Sequence, residues 1–497
     1  MDVAALAGAI SQIFTPWPLL MLFLGTALGI VVGAIPGLTG AMLIALTLPL
    51  TFYMAPFNAV VLLVSMYVGA ISGGLITATL MRMPGTPAAV MTTLDGYPMA
   101  RSGRPGRALG LGITASFIGG LVAWSVLFTV TKPLSVLATR FGPFEYFTLI
   151  MMAMVLIASA SEGSQVKGLI SGLLGMLVSM PGVDPATGMP RLTFDWYMLN
   201  GGLALLPVLI GTFAVSQIIK DSLEMGGLPK RAEMSTKGML TSLRDFARHG
   251  VNMIRSSFLG TFIGILPGIG ASIGSVVAYT VAKNVSSEPE KFGKGSEEGI
   301  VASEAANNAT VSGALIPLIA MGIPGSVIDA ILIGALTIHS IQPGPTLFLT
   351  NADIVWGMIA AALLANILMW LLMTSSVRYI SNLIYLPRSF VLPVVMMFCV
   401  IGSYALNNTM FDVWVMLLFG VLGFLLERAR IPLGPFVIGF VLAPLAEEKL
   451  RSGLMMTAGD ITPIFTRPFP LAFTITAVVL LVWPLISEYR QRRRAEQ

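Results

Sequence analysis

From Val3 to Met81 the chain runs for 79 residues without a single Asp, Glu, Lys or Arg. No water-facing domain fits there, because about a quarter of the residues of a soluble chain are charged. Later charge-free runs repeat the pattern: Ala108 to Thr131, Trp196 to Ile219, Ser256 to Ala282, Ala305 to Ile328, Ile354 to Val377, Ser389 to Phe411 and Pro468 to Ser487. With 55% hydrophobic and 11% charged residues over 497 positions, the lipid bilayer is the expected solvent. At about 20 apolar residues per crossing, the expected architecture is an all-α polytopic membrane protein with about ten to twelve membrane segments.

The same counts exclude other classes. One cysteine, Cys399, allows no internal disulfide, and two histidines, His249 and His339, cannot build a His-rich metal site. The net charge of +5 comes from short basic runs between apolar stretches, which is the positive-inside pattern of a membrane protein and not a nucleic-acid surface. No Lys or Arg precedes the first apolar run, so a cleaved secretory signal is not expected there. No phosphate loop, H-E-x-x-H pair or G-x-S-x-G elbow occurs, so neither ATP hydrolysis nor a cofactor is expected.

The chain divides into a first half, residues 1–219, a basic linker, residues 220–255, expected in the cytoplasm, and a second half, residues 256–497, with a basic cytoplasmic tail. Leu240, Leu243, Phe246, Ala247 and Ile254 of the linker read either as an amphipathic surface helix or as a solvated connection. The halves resemble each other. Gly25, Gly29 and Gly33 lead at every fourth residue to Pro36-Gly37, as Gly260 and Gly264 lead to Pro267-Gly268, 231 residues later. Ser72-Gly73-Gly74-Leu75-Ile76 leads to Pro84-Gly85-Thr86, as Ser312-Gly313-Ala314-Leu315-Ile316 leads to Pro324-Gly325-Ser326, 240 residues later. Equivalent loops carry opposite charge bias: Arg101, Arg104 and Arg107 follow the second breaker of the first half, whereas Lys283, Lys291 and Lys294 precede that of the second. This is the signature of two inverted repeats, an architecture of secondary transporters.

The run Ser256 to Ala282 equals about 40 Å of helix, too short to cross a roughly 30 Å core twice, yet both flanks read as cytoplasmic. A re-entrant hairpin turning at Pro267-Gly268 reconciles these facts, against a kinked helix with a small-residue face for either glycine ridge alone. Thr86-Pro87 and Ser326 with Asp329 read as helix starts, whose free N–H groups either attract anions or serve only as ordinary caps. Glu304, Asn307 and Asn308 share one helical face and have no counterpart in the first half, where Tyr67 and Val68 stand at the asparagine positions. Such a cluster suits a small hard cation or interhelical hydrogen bonds.

At these residues the sequence resembles the large membrane subunit of the tripartite tricarboxylate transporters, over nearly the whole chain. The resemblance rests on Pro36-Gly37-Leu38-Thr39, Pro84-Gly85-Thr86-Pro87, Asp95-Gly96-Tyr97-Pro98, Pro267-Gly268-Ile269-Gly270, Pro289-Glu290-Lys291-Phe292-Gly293-Lys294-Gly295, Glu304-Ala305-Ala306-Asn307-Asn308, Gly322-Ile323-Pro324-Gly325-Ser326 and Gln342-Pro343-Gly344-Pro345. Arg82 stands where the family usually has Asn, and Ser303 where it usually has Pro. The resemblance implies a multi-pass protein of the bacterial inner membrane that imports a di- or tricarboxylate. A periplasmic solute-binding protein delivers the substrate, a small membrane subunit accompanies the chain, and a Na⁺ or H⁺ gradient drives transport. The substrate-site candidates are Pro36, Gly37, Thr39, Pro267, Gly268 and Ser272 at the hairpin tips, with Thr86 and Ser326 at helix ends. Asn307, Asn308 and Glu304 are the candidates for the coupling ion or substrate. An integral-membrane enzyme or a channel is the alternative; the first needs convergent acid, base or metal groups, the second rings of like residues.

Overall fold

The computed structural model describes residues 2–160, 164–184, 187–223, 237–268, 270–383 and 388–495. The described residues are almost entirely helical. The first half contains α1 (Val3–Ile13), α2 (Pro16–Gly33), α3 (Gly40–Thr51), α4 (Pro56–Met81), a 3-10 turn (Pro87–Ala89), α5 (Val90–Arg101), α6 (Pro105–Ala138), α7 (Pro143–Ser159) and α8 (Gln165–Val178). A short antiparallel pair, β1 (Gly182–Val183) and β2 (Pro190–Arg191), precedes α9 (Leu205–Leu209), which continues through a π turn (Ile210–Val215) into α10 (Ser216–Leu223). The second half contains α11 (Leu243–Ile265), α12 (Gly270–Val285), α13 (Glu297–Met321), α14 (Val327–Ile338), α15 (Leu347–Thr350), α16 (Ala352–Leu383), α17 (Arg388–Asn407), α18 (Met410–Arg428), α19 (Leu433–Met456), α20 (Pro463–Thr466) and α21 (Pro468–Ala495).

Local chemistry explains the helix boundaries. Proline occupies the first turn of α2, α4, α6 and α7, where its fixed φ suits the helix and its missing N–H costs nothing. Thr39 and Ser296 accept N–H bonds at the starts of α3 and α13, from Met42 (3.2 Å) and Gly299 (3.2 Å). Among the described residues, six helical stretches are long and apolar enough to cross a membrane, namely α2, α4, α6, residues 205–223, residues 352–381 and α18, and seven shorter apolar helices accompany them. Helix α13 is as long, but Glu304, Asn307 and Asn308 make it too polar to be one of the six; protein encloses it along nearly its whole length.

Between apolar helices in lipid little hydrophobic drive remains, so close backbone packing supplies the attraction. A β-carbon at Gly29 would lie 2.5 Å from Met66 O, and one at Gly260 2.3 Å from Ala306 O. The two glycines differ by 231 positions and the two carbonyls by 240, the offsets already present in the sequence. In the same way a β-carbon at Gly85 would lie 2.2 Å from Gly33 O, and one at Gly325 2.9 Å from Gly264 O. Each half thus presses its second breaker against the turn that follows its glycine ridge, and the Gly268 N–H donates to Gly325 O (2.8 Å).

The hairpin arms reach further than the charge-free run implies. Helix α11 begins at Leu243 with a capping box between Ser242 and Asp245 and runs unbroken to Ile265. Residues 243–255 are therefore the base of an arm and not a separate surface helix. Two of its titratable side chains are held by pairing: Arg107 on α6 binds Asp245 (2.5 Å) and Glu297 (3.0 Å), and His249 Nε2 lies 3.2 Å from Glu297, while Arg244 and Arg248 are exposed. Of the expected linker, residues 220–223 complete α10 and residues 224–236 lie outside the described residues.

Two groups of helices emerge from the packing. Helices α1 to α6 pack among themselves and with α11 to α16, while α7 to α10 pack with α17 to α19 and α21. Helices α3 and α14 bridge the groups, lying against α9, and against α17 and α19 respectively.

Candidate functional site

Helix α4 gathers the interrupted segments around residues 67–74, eight residues that span about 10 Å of helix. Tyr67 OH lies 3.0 Å from Ser326 Oγ. Ser72 Oγ donates to Asn308 Oδ1 (2.5 Å). At Gly74 a β-carbon would stand 2.7 Å from Thr86 Oγ1. The starts of the 3-10 turn leading to α5 and of α14 are thus both tied to α4, together with one of the asparagines.

The two helix starts differ. Ser326 Oγ accepts from the Asp329 N–H (3.3 Å) and so caps α14. Thr86 stands at the cap position of the 3-10 turn, but its hydroxyl makes no cap bond and is buried without a partner. A buried hydroxyl with no hydrogen bond is costly, and that of Thr86 is one of several left so among the described residues.

The polar cluster of α13 separates by partner. Glu304 is fully buried and not at the water boundary; Thr92 Oγ1 (2.5 Å) and Ser116 Oγ (3.1 Å) donate to its two oxygens. Asn307 lies near Glu304 without reaching hydrogen-bond geometry, and neither of its amide atoms has a partner; nor does Asn308 Nδ2. Ser303, at a family proline position, adds its hydroxyl beside Thr92 (3.0 Å).

Among the tip candidates, Pro36 and Pro267 are buried, and Gly37, Gly268, Thr39 and Ser272 are half-buried. Gly37 (φ +95°) and Gly268 (φ +73°) adopt backbone that a side chain would strain. Thr39 is engaged as the cap of α3, and Ser272 lies in the first turn of α12. The Gly37 turn lies against Asp221 on α10, and the Gly268 turn against Ile157 on α7. Arg82 closes α4 in the left-handed region (φ +56°), as Gly322 closes α13 (φ +73°). That conformation suits Gly and Asn, which is a physical reason for the usual Asn; Arg82 departs from a backbone requirement and directs an exposed cation outward.

Two acids, legible in the sequence only as part of a motif (Asp95) and as a helix-start residue (Asp329), have surroundings that no local pattern gives. Asp95 is fully buried, and its Oδ1 accepts the N–H groups of Gly293 (2.8 Å), Gly295 (2.9 Å) and Ser296 (2.7 Å) while Oδ2 accepts from Tyr279 OH (2.8 Å). It clamps the loop between α12 and α13, so two of the family-like motifs form one structural joint. Asp329 is fully buried, and neither carboxylate oxygen has a hydrogen-bond partner. Three open cavities, of about 650, 570 and 360 Å³, are lined by other residues, around Lys132 and Trp356, Arg191 and Glu447, and Arg104 and Lys294.

An enclosed α4 and α13, breaks at 84–86 and 324–326, and buried polar side chains left without partners describe a polytopic membrane protein with interrupted helices. The profile of the tripartite tricarboxylate transporter TctA family matches residues 19–438. The chain belongs to that family, and with it to the membrane components of tricarboxylate transporters. An uncharacterised 52.8 kDa protein of the TAR-I ttuC′ 3′ region of Agrobacterium vitis is 33% identical over 482 residues, covering 96% of this chain and 95% of the relative. A second uncharacterised protein, of the TAR-II ttuC′ 3′ region of Agrobacterium vitis, is 34% identical over 211 residues, covering 42% of this chain and 87% of the relative. No solved structure matches the chain significantly.

Proposed function

We propose that the chain is a gradient-driven importer of a di- or tricarboxylate, set in the bacterial inner membrane beside a small membrane subunit and loaded by a periplasmic solute-binding protein. The observation that carries this reading is the set of buried, unpartnered polar groups at Thr86, Asn307 and Asn308, of which Thr86 and Asn308 lie against neighbouring positions of α4, Gly74 and Ser72. Substrate carboxylates meet the N–H groups and positive helix ends at Thr86 and Ser326, flanked by the turns at Pro36-Gly37 and Pro267-Gly268 with Thr39 and Ser272. Asn307 and Asn308, with Glu304, contact the substrate or the coupling ion. The halves are inverted repeats, and the hairpin-bearing group of helices moves against the other group along α3 and α14.

Uptake of labelled carboxylates into proteoliposomes, with and without the binding protein and a Na⁺ or H⁺ gradient, tests the activity. In that assay Ala at 307 or 308 raises the ion or substrate concentration for half-maximal uptake about three- to tenfold, the loss of a contact worth about 0.5–1.5 kcal/mol. Unchanged dependence in both variants returns the pair to interhelical bonding.

The inverted orientation places residues 101–107, the linker and the basic tail at 490–494 in the cytoplasm, and Pro343 to Pro345 in the periplasm. Single cysteines at 104 and 344, introduced into a Cys399→Ser background, report this in intact spheroplasts. An impermeant thiol reagent labels 344 and spares 104; the opposite result reverses the orientation.

A further inference from the structure

The carboxylate of Asp329 has no part in the reading above, and its surroundings are unlike those of the other buried acids. Asp95 holds four donors, Glu304 two hydroxyls, Asp412 the side chains of Asn407 and Thr409, and Glu145 the guanidinium of Arg467. Asp329, third residue of α14, is fully buried; the Ser326 hydroxyl and the N–H groups of Ser326 and Asp329 stand beside its carboxylate and Tyr67 lies nearby, yet none of them closes a full hydrogen bond to either oxygen and no ion pair forms among the described residues. We propose that Asp329 is the site of the coupling proton, taken up from the outer face with the substrate and released with it inside.

The chemistry around the carboxylate selects a proton. An ionised carboxyl group that is buried without a counter-charge or a completed hydrogen bond is strongly disfavoured, so it takes a cation or becomes neutral. Hard metal cations take about six oxygen ligands, whereas the side-chain hydroxyls beside this carboxylate are those of Tyr67 and Ser326, and no cluster of metal-ligating side chains occurs among the described residues. The elements packed against α14 supply no counter-charge. Helices α3 and α9 have no titratable side chain, and Tyr67 is the only one on α4. On α13, Glu304 is turned to Thr92 and Ser116, with Glu297 and Glu298 two turns further off; α19 meets α14 at Gly434, more than three turns from Glu447, Glu448, Lys449 and Arg451. A proton adds to one carboxylate oxygen from the outer solution and leaves to the inner one, with no other bond changed.

Coupling follows from position. Asp329 sits in the first turn of the helix whose start, at Ser326, is proposed to hold a substrate carboxylate, so this inference rests on that reading and assigns the driving ion to it. Ionised, Asp329 cancels the positive helix end and repels the arriving anion; protonated, it leaves that end free. Proton and anion therefore bind together, and each promotes the other.

The test uses the complete transporter in proteoliposomes with labelled citrate. For wild type, an inside-alkaline step of one pH unit drives up to about tenfold accumulation per coupled proton, and citrate exchange at equal pH declines as pH rises. In Asp329→Asn, permanently neutral and of the same shape, gradient-driven accumulation is lost, while exchange persists and no longer depends on pH. Accumulation by this variant at the wild-type level under a proton gradient overturns the proposal, as does wild-type uptake driven by Na⁺ and indifferent to pH. Absence of wild-type uptake of any carboxylate under any gradient overturns the transport reading itself. Should the variant not be recovered folded, citrate added to weakly buffered wild-type protein is expected to take up protons, approaching one per site as the starting pH is raised and the free carboxyl ionises, and no uptake at any starting pH overturns the proposal.

Discussion

Replacing Ser326 by Asp abolishes carboxylate uptake, lowering it about 100-fold or more, whereas Ser326→Ala lowers it only a few fold. The Asp variant still caps α14, because Asp is as good an N-cap as Ser, so loss of the helix does not explain the collapse. What changes is a fixed negative charge where the substrate carboxylate is proposed to lie. A helix end favours an anion by about 0.3–1 kcal/mol, up to about 2 when partly buried, whereas two like charges 4 Å apart at an effective dielectric of about 20 repel by about 4 kcal/mol. Repulsion wins. The Ala variant loses the cap to Asp329 N–H and the contact with Tyr67 OH, together worth about 1–2 kcal/mol of stability. Thr86→Asp behaves in the same way, and Thr86→Ala is milder still, since its hydroxyl has no partner to lose. Initial uptake rates, scaled to the amount of correctly inserted protein, decide the matter. Equal and mild effects of Asp and Ala at both sites would mean that these residues cap helices and never meet substrate.

Asp95→Ala is expected to destabilise the protein by about 3 kcal/mol or more, the largest effect on stability of any single side chain in the hairpin-bearing group. Three backbone N–H groups on one carboxylate oxygen are charge-assisted bonds, and each buried donor left unpaired costs about 1–3 kcal/mol. Gly293 and Gly295 hold positive φ in the loop that Asp95 organises, so the chain has little else to keep it in that shape. Asp95→Asn retains an acceptor for those N–H groups but turns an amide nitrogen toward Tyr279, and loses less. The thermal midpoint of detergent-solubilised protein and its yield in the membrane give the order wild type, Asn, Ala. An unchanged midpoint for the Ala variant would remove Asp95 from its role as a clamp.

These two residues show different depths of legibility. Ser326 could be picked out as a helix start because the cue is local: a hydroxyl residue after Pro324-Gly325 and before an apolar run, with Asp three residues on. Asp95 stood in an evident motif, but its partners lie about 200 residues away, and no pattern within a window of the chain names them. Glu304, Asn307 and Asn308 were legible as one face of one helix. Their division, with Glu304 committed to hydroxyls of α5 and α6 and Asn308 to Ser72 of α4, depends on which neighbours surround α13.

The sequence by itself determined the solvent, the breaks and the pairing of breaks. A charge-free run of 79 residues has no other stable environment than lipid, and Pro-Gly pairs interrupt a helix through their own φ restriction and missing donor, whatever surrounds them. The glycine ridges at matched offsets likewise announce close helix approach, since only a missing β-carbon admits it. Tertiary structure decided how far the arms extend and which polar groups remain free. Helix α11 runs through a charged segment because Arg107 and Glu297, distant in sequence, arrive to form an ion-pair network with Asp245 and His249. Asp329 is a capping residue in any window of sequence; it is left without a completed hydrogen bond only because α4, α13 and α19 close around it without bringing a cation or turning a donor onto its oxygens. Hydropathy and backbone preference belong to a residue and its neighbours along the chain, whereas satisfaction of a buried charge belongs to whatever the fold sets beside it.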